Sequence, residues 1–189
     1  HVSPNYSLGI RQAVYRSALA ANAEDVKVVG HFQKDYWHVK YHGAMHNATF
    51  CGAFPGDGWS GGISSAVFAG CVPVIVMDGI EMPFENVLHY PSFSVRIKEA
   101  DVPRLPEILR SIPKQKVDQL QAGLSLVRSR FGYASLAINE LRLAKGHGVE
   151  PHDYLGKLEE HNARREDALD TVMRVLLYRA AKRKGEVKS

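Results

Sequence analysis

The stretch from Phe50 to Asp78 reads FCGAFPGDGWSGGISSAVFAGCVPVIVMD and sets six glycines, a Trp and an Asp57 between two apolar runs. Glycine lets a backbone approach a ligand closely and take up positive φ. Gly56, Gly58, Gly61 and Gly62, with Asp57, Trp59 and Ser60 between them, therefore admit three readings. The loop is a cradle for phosphates, a nucleophile elbow around Ser60, or a tight turn with no ligand.

The flanks favour the first reading. The loop follows a predicted strand and precedes a predicted helix, and a helix start offers unpaired N–H groups and the positive end of a dipole. In open α/β sheets ligands settle at the carboxyl ends of the strands. GDGWSG over 56–61 also spells G-x-G-x-x-G, a weak signal by itself, and no Lys-Ser or Lys-Thr pair follows it as a P-loop would require. The elbow reading rests on Gly58-Trp59-Ser60-Gly61-Gly62, which fits G-x-S-x-G, with Asp78 or Asp101 as the acid and His147 or His152 as the base. Against it, Phe54-Pro55-Gly56-Asp57 separates the strand from the motif, and an elbow needs a sharp strand-to-helix turn. His38, His42 and His46 recur at i, i+4 and i+8 on one predicted helix. Eight residues of helix span roughly 12 Å, so the three cannot share one ion, and a polar helix face explains them without a metal.

The elements that must hold the loop read as an alternation. A helix is predicted over 7–23, capped by Ser7, with Leu8, Val14, Ala18 and Leu19 inward. Strands are predicted at 26–30 and 49–53, with a helix over 36–48 between them. Ile63 to Gly70 reads as a helix with Ile63, Ala66 and Val67 inward. VPVIVM at 72–77 is continuously apolar and β-branched, as in a strand buried on both faces of a parallel sheet. FSVRI at 93–97 alternates as a further strand. Helices follow at 104–111, 114–131 and 160–183, with a Gly- and His-rich loop at 144–157. The pattern predicts an α/β fold with a mostly parallel sheet flanked by helices.

The totals suit one such domain. The chain has 189 residues, 45% hydrophobic and 23% charged, and a formal net charge of +4. That balance suits anionic small ligands and is too weak to argue for nucleic acid. The basic residues are scattered except for Arg179, Lys182, Arg183, Lys184 and Lys188, which read as a flexible, solvated tail over 179–189. No apolar run reaches membrane-spanning length. The opening HVSPNYS, without a Met, reads as the interior of a longer protein. Cys51 and Cys71 are either two free buried thiols or one disulfide. Asn5-Tyr6-Ser7 and Asn47-Ala48-Thr49 match the N-glycosylation acceptor pattern, which arises often by chance.

Taken together, FCGAFPGDGWSG, AGCVPVIVMD, EMPFENVL and FSVRI, in that order and spacing, resemble the C-terminal half of the exostosin-like glycosyltransferases. Tyr6-Ser7-Leu8-Gly9-Ile10-Arg11-Gln12 is similar to a further segment of that family, and the resemblance extends over about residues 5–180. It implies that the chain is a single Rossmann-like half of a GT-B fold with extra C-terminal helices, lacking the N-terminal half and its membrane anchor. It implies binding of a nucleotide diphosphate sugar, a UDP-sugar above all, for transfer to a glycan hydroxyl at the luminal side of the Golgi membrane. No metal cofactor is implied, because helix N-termini and basic side chains stabilise the leaving diphosphate. The loop Gly56–Gly62 becomes the diphosphate cradle, Arg11 a source of positive charge for it, and Ser65 a hydrogen-bonding group for the ribose. If the protein is luminal, Cys51 and Cys71 sit near the starts of consecutive strands, and a bridge between them is sterically conceivable.

The chain departs from the family at three points. Gly62 stands where many relatives have an Arg, Ser65 where many have an acidic residue, and Pro55 where an Arg is common. These departures keep open a second reading, a degenerate nucleotide-binding or partner-binding domain that works beside another glycosyltransferase subunit. The general base is assigned to no residue: Asp57, Asp78, Glu81 and Glu85 lie near the predicted site, each equally suited to a turn or cap.

Overall fold

The computed structural model describes residues 9–21, 24–28, 41–56, 60–133 and 167–184. The chain divides into two compact units, one of His1–Glu81 with Tyr90–Ser125 and one of Met82–His89 with Leu126–Ser189.

Among the described residues the first unit is built on a three-stranded parallel sheet in the order β1 (Phe50–Ala53), β2 (Val72–Ile75), β3 (Val95–Arg96). Phe50 pairs with Val72 and Ala53 with Ile75, while Val74 pairs with Val95. β2 is central, and every residue from Val72 to Met77 is buried, as its unbroken apolar run requires. A proline in a central strand is unusual. Here Val72 and Val76 donate to Thr49 O and Ala53 O of the β1 side, so the odd-numbered nitrogens face β3. β3 begins opposite Val74, so no ladder bond is lost at Pro73.

Helices cover both faces. On one, α1 (Ile10–Ala20) and α4 (Leu105–Arg110) pack with the 3-10 helix Glu99–Arg104 through Ile10, Val14, Val74, Val76, Ile97, Val102 and Leu105. Ser17 Oγ donates to Pro103 O at 3.0 Å and pins the far end of α1. On the other face, α3 (Gly62–Ala69) lies over β1 and β2, and α2 (Tyr41–His46) packs on α3. There Met45, Cys51, Ala66 and Cys71 form a small core. α3 buries Ile63, Ala66 and Val67 and stops at Gly70, whose φ of 77° is the left-handed cap that glycine tolerates. α5 (Lys114–Val127) runs close against the turn at Tyr90–Phe93: a Cβ on Gly123 would land on the Ser92 carbonyl oxygen and 2.9 Å from its carbon.

Cys51 and Cys71 are joined in a disulfide, with their Cα atoms 5.7 Å apart. Of the two states the sequence allows, the bridged one is present. Over a sequence separation of 20 it brackets the end of β1, the glycine loop and α3.

Several predicted boundaries move. α1 starts at Ile10 behind Gly9, and Ile10 and Ser17 are buried while Leu19 is 63% exposed. Ser7 and Leu8 lie outside the described residues. Val26–Val28 carry no strand structure, and 29–30 lie outside the described residues, as does 36–40 of the second predicted helix. Phe93 belongs to a turn, because Phe93 N and Ser94 N both bond back to Tyr90 O, and the strand proper begins at Val95.

In the second unit, α6 (Ala168–Arg183) starts from a capping box. The buried Asp167 carboxylate accepts from Leu169 N and Asp170 N, and Asp170 Oδ2 accepts from Asp167 N. Arg179, Lys182 and Arg183, read from sequence as tail, occupy the last turns of this helix, where cations suit the dipole. Residues 144–157 and 160–166 lie outside the described residues. The Met82–Leu88 turn is held by Glu85, whose Oε2 accepts from Met82 N at 2.6 Å, and it puts Phe84 at φ 55°. That conformation is rare for an aromatic residue. The Phe84 ring packs edge-on against Phe131.

Candidate functional site

The predicted loop leaves the carboxyl end of β1 and returns into the first turn of α3, the position at which a parallel α/β sheet binds anions. Gly56, Ser60, Gly61 and Gly62 are among the described residues; Asp57, Gly58 and Trp59 are not. The loop's two ends are therefore defined.

The upstream end is fixed by Arg11 of α1. Its Nε donates to Pro55 O at 3.0 Å and its Nη2 to Phe54 O at 3.3 Å. These carbonyls belong to the first two residues beyond β1. The planar guanidinium holds both with one rigid group, which an ammonium does not do. The Phe54 ring folds back over Gly52 and occupies the space a Cβ would need there. Neither partner was visible in the sequence, since the acceptors are backbone oxygens 43 and 44 residues away.

The downstream end is tight at one glycine and open at the next. A Cβ on Gly62 would lie 3.2 Å from Ser60 Oγ, 3.4 Å from Gly52 O and 3.5 Å from Ala53 Cα. Gly62 thus lets α3 start close against the end of β1, the packing role of the last glycine in such loops. Gly61 caps α3, and among the described residues, its chain neighbours aside, none stands within 4 Å of where its Cβ would be. Ser65 is half-buried in the first turns of α3, and its N–H bonds to Gly61 O at 3.1 Å.

Other candidates have defined places. Asp78 and Glu99 make a reciprocal pair: Asp78 N donates to Glu99 Oε1 at 3.0 Å and Glu99 N to Asp78 Oδ2 at 3.2 Å. With Gly79 at φ 69°, Asp78 serves the turn after β2. Ser60 is 7% exposed, whereas an elbow displays its hydroxyl, and His147 and His152 lie outside the described residues. His46 donates from Nδ1 to Ala69 O at 3.2 Å and so ties α2 to α3. No group of three or more His, Cys, Asp or Glu side chains suited to a metal occurs among the described residues. No described helix is long and apolar enough to cross a membrane.

A sequence model of the Exostosin GT47 domain matches residues 3–112, more than half of the chain, and spans α1, the sheet, the loop and α4. The chain belongs to the exostosin GT47 family. This is a glycosyltransferase family in its named relatives. The chain is 35% identical over 97 residues to a probable glycosyltransferase of Arabidopsis thaliana, covering 50% of this chain and 20% of that protein. It is 38% identical over 89 residues to the probable glucuronosyltransferase GUT1 of Oryza sativa subsp. japonica, 45% of this chain and 21% of that one. It is 38% identical over 81 residues to the probable beta-1,4-xylosyltransferase IRX10 of Arabidopsis thaliana, 41% of this chain and 19% of that one. The matched part of this exostosin chain thus spans about a fifth of the length of these curated relatives.

Proposed function

We propose that this exostosin chain is the nucleotide-sugar-binding part of a glycosyltransferase, and that its glycine loop over 56–62 receives the diphosphate of a UDP-sugar. The observation that carries the reading is the loop's place in a chain of this family. It leaves the carboxyl end of a parallel strand and enters a helix start, where no described residue beyond the chain neighbours crowds Gly61.

The chemistry follows from that geometry. In transfer, the bond from the sugar's anomeric carbon to the diphosphate oxygen breaks as the bond to an acceptor hydroxyl oxygen forms, and the hydroxyl proton passes to a base. The leaving diphosphate gains charge, and fixed N–H groups at a helix start stabilise it without reorganising. On this reading Gly56, Asp57, Gly58, Trp59, Ser60, Gly61 and Gly62 are the cradle, and Ser65 is the hydroxyl donor to ribose. This route needs no metal cofactor. The relatives' names direct the choice of donors to UDP-glucuronate and UDP-xylose, with a glycan as acceptor. The Cys51–Cys71 disulfide suits an oxidising secretory compartment and supports a Golgi-luminal site of action.

A second reading has its own support in Gly62, Ser65 and Pro55, which stand where many family members carry charged groups. On that reading the domain binds a nucleotide or a partner glycosyltransferase subunit and transfers nothing itself. Titration with UDP followed by UDP-xylose and UDP-glucuronate, with donor consumption measured on a glycan acceptor, separates the two. Binding with turnover supports the first, and binding without turnover supports the second. A folded chain that binds none of the three nucleotides overturns the donor-site reading.

A further inference from the structure

Asn47-Ala48-Thr49 joins α2 to β1. Its three residues are divided by the fold. Asn47 and Thr49 are exposed, while Ala48 is half-buried against the core of Met45, Cys51, Ala66 and Cys71. The backbone is held on both sides: Ala48 N donates to Met45 O at 3.1 Å, and Thr49 O accepts from Val72 N at 2.9 Å. Both side chains that a glycosylation acceptor must present therefore face solvent from a surface turn.

Two further observations bear on this triplet. Cys51, four residues along, is disulfide-bonded, which suits folding where thiols are oxidised, and in eukaryotes N-glycans are added in that compartment. The strands are parallel, and Asn47 precedes β1 while the glycine loop follows it. Four strand residues separate the two by roughly 13 Å along the sheet, so a glycan on Asn47 leaves from the end opposite the loop.

We infer that Asn47 is an N-glycosylation site of this protein. The donor class is a lipid-linked oligosaccharide diphosphate. The asparagine Nδ2 forms a bond to the anomeric carbon of the first sugar, the bond from that carbon to the diphosphate oxygen breaks, and one amide proton is lost. Nδ2 now donates to Gly43 O at 3.2 Å, and the linked nitrogen keeps one N–H for that bond. The inference does not depend on what the glycine loop binds.

The test is to direct the full chain through the secretory pathway of mammalian cells and to analyse its disulfide-bonded form by peptide mass spectrometry before and after peptide-N-glycosidase F. A peptide spanning Asn47 that carries hexose and N-acetylhexosamine, and that returns with Asp in place of Asn47 after the enzyme, is the expected result. Asn47→Gln and Thr49→Ala each abolish the modification, and Thr49→Ser keeps it. In vitro translation into microsomes gives the same gel shifts without requiring any variant to fold. An unmodified Asn47 in the oxidised protein, or a glycan on Asn5 alone, overturns the inference.

Discussion

Replacing both Cys51 and Cys71 by alanine tests the staple around the loop. The bridge closes a segment with a sequence separation of 20. On the chain-entropy account, closing about 20 residues removes roughly 11 cal/mol/K from the unfolded ensemble, or about 3 kcal/mol at 25 °C. Both cysteines are buried, at 7% and 0% exposure, and alanine is close to them in volume, so packing loss adds little. With a urea slope of about 1–3 kcal/mol/M, the unfolding midpoint should fall by about 1–3 M. The assay is urea unfolding of wild type and variant, each with and without dithiothreitol. Reduction should bring wild type down to the variant and leave the variant unmoved, and oxidised wild type should show no titratable thiol in denaturant. Two reactive thiols in the untreated protein, or equal midpoints for oxidised and reduced wild type, would refute the reasoning.

Three further outcomes follow from particular contacts. Gly123→Ala gains about 1 kcal/mol in helix propensity, but its Cβ meets a backbone carbonyl at Ser92 that cannot turn aside. Overpacking of about 1–3 kcal/mol should win, giving a lower thermal midpoint in calorimetry; a stabilised variant would show that α5 stands farther off. Arg11→Gln and Arg11→Lys both lose the fork onto Phe54 O and Pro55 O. Hydrogen exchange over residues 54–65 should speed in both by about tenfold while Ser17→Ala leaves it unchanged; a lysine variant indistinguishable from wild type would make charge, not geometry, the residue's contribution. Asp25 is held below the ordinary aspartate range by its hydrogen bonds from Arg110, at 3.0 and 2.5 Å. Because the folded value is the depressed one, the pair's contribution is present above the unfolded pKa and disappears as pH falls through the folded value. An NMR titration should show Asp25 below about 3.9 and a return toward it in Arg110→Gln; no change on substitution would remove the pair as the cause.

The parts of this fold that were legible in the sequence are those set by local spacing. Ile63, Ala66 and Val67 announced the inner face of α3, Gly70 its end, and the run VPVIVM the buried central strand. The motif order pointed to the family that the comparison then gave. What was not legible depends on tertiary partners. Val14 and Ala18 face inward as their spacing predicts, but Leu19 is exposed and Ile10 and Ser17 complete the buried face, Ser17 through a carbonyl of a residue 86 positions away. Phe93 alternates like a strand residue, but the carbonyl of Tyr90 captures the N–H groups of Phe93 and Ser94 and makes a turn. Asp78 was open in the sequence to a turn or to chemistry, and the reciprocal bonds with Glu99, 21 residues on, that favour the turn depend on the fold. The pairing of Cys51 with Cys71 required the register of β1 against β2, which no spacing rule supplies. At the candidate site the glycines mark where the chain must pass closely, but the Arg11 clamp acts on backbone oxygens, which leave no trace in residue identity.

The account centres on the glycine loop as a diphosphate site, and Gly61 offers the cleanest test. Among the described residues, its chain neighbours aside, none comes within 4 Å of its would-be Cβ, so Gly61→Val adds bulk at the start of α3 without a clash against them. Calorimetric titration with UDP should show binding by the wild-type chain in the micromolar to low-millimolar range. The valine variant, checked to remain folded by its thermal transition because valine is a poorer N-cap than glycine, should lose it. Equal affinity in the two proteins would contradict the account, because the diphosphate would then lie somewhere other than the loop.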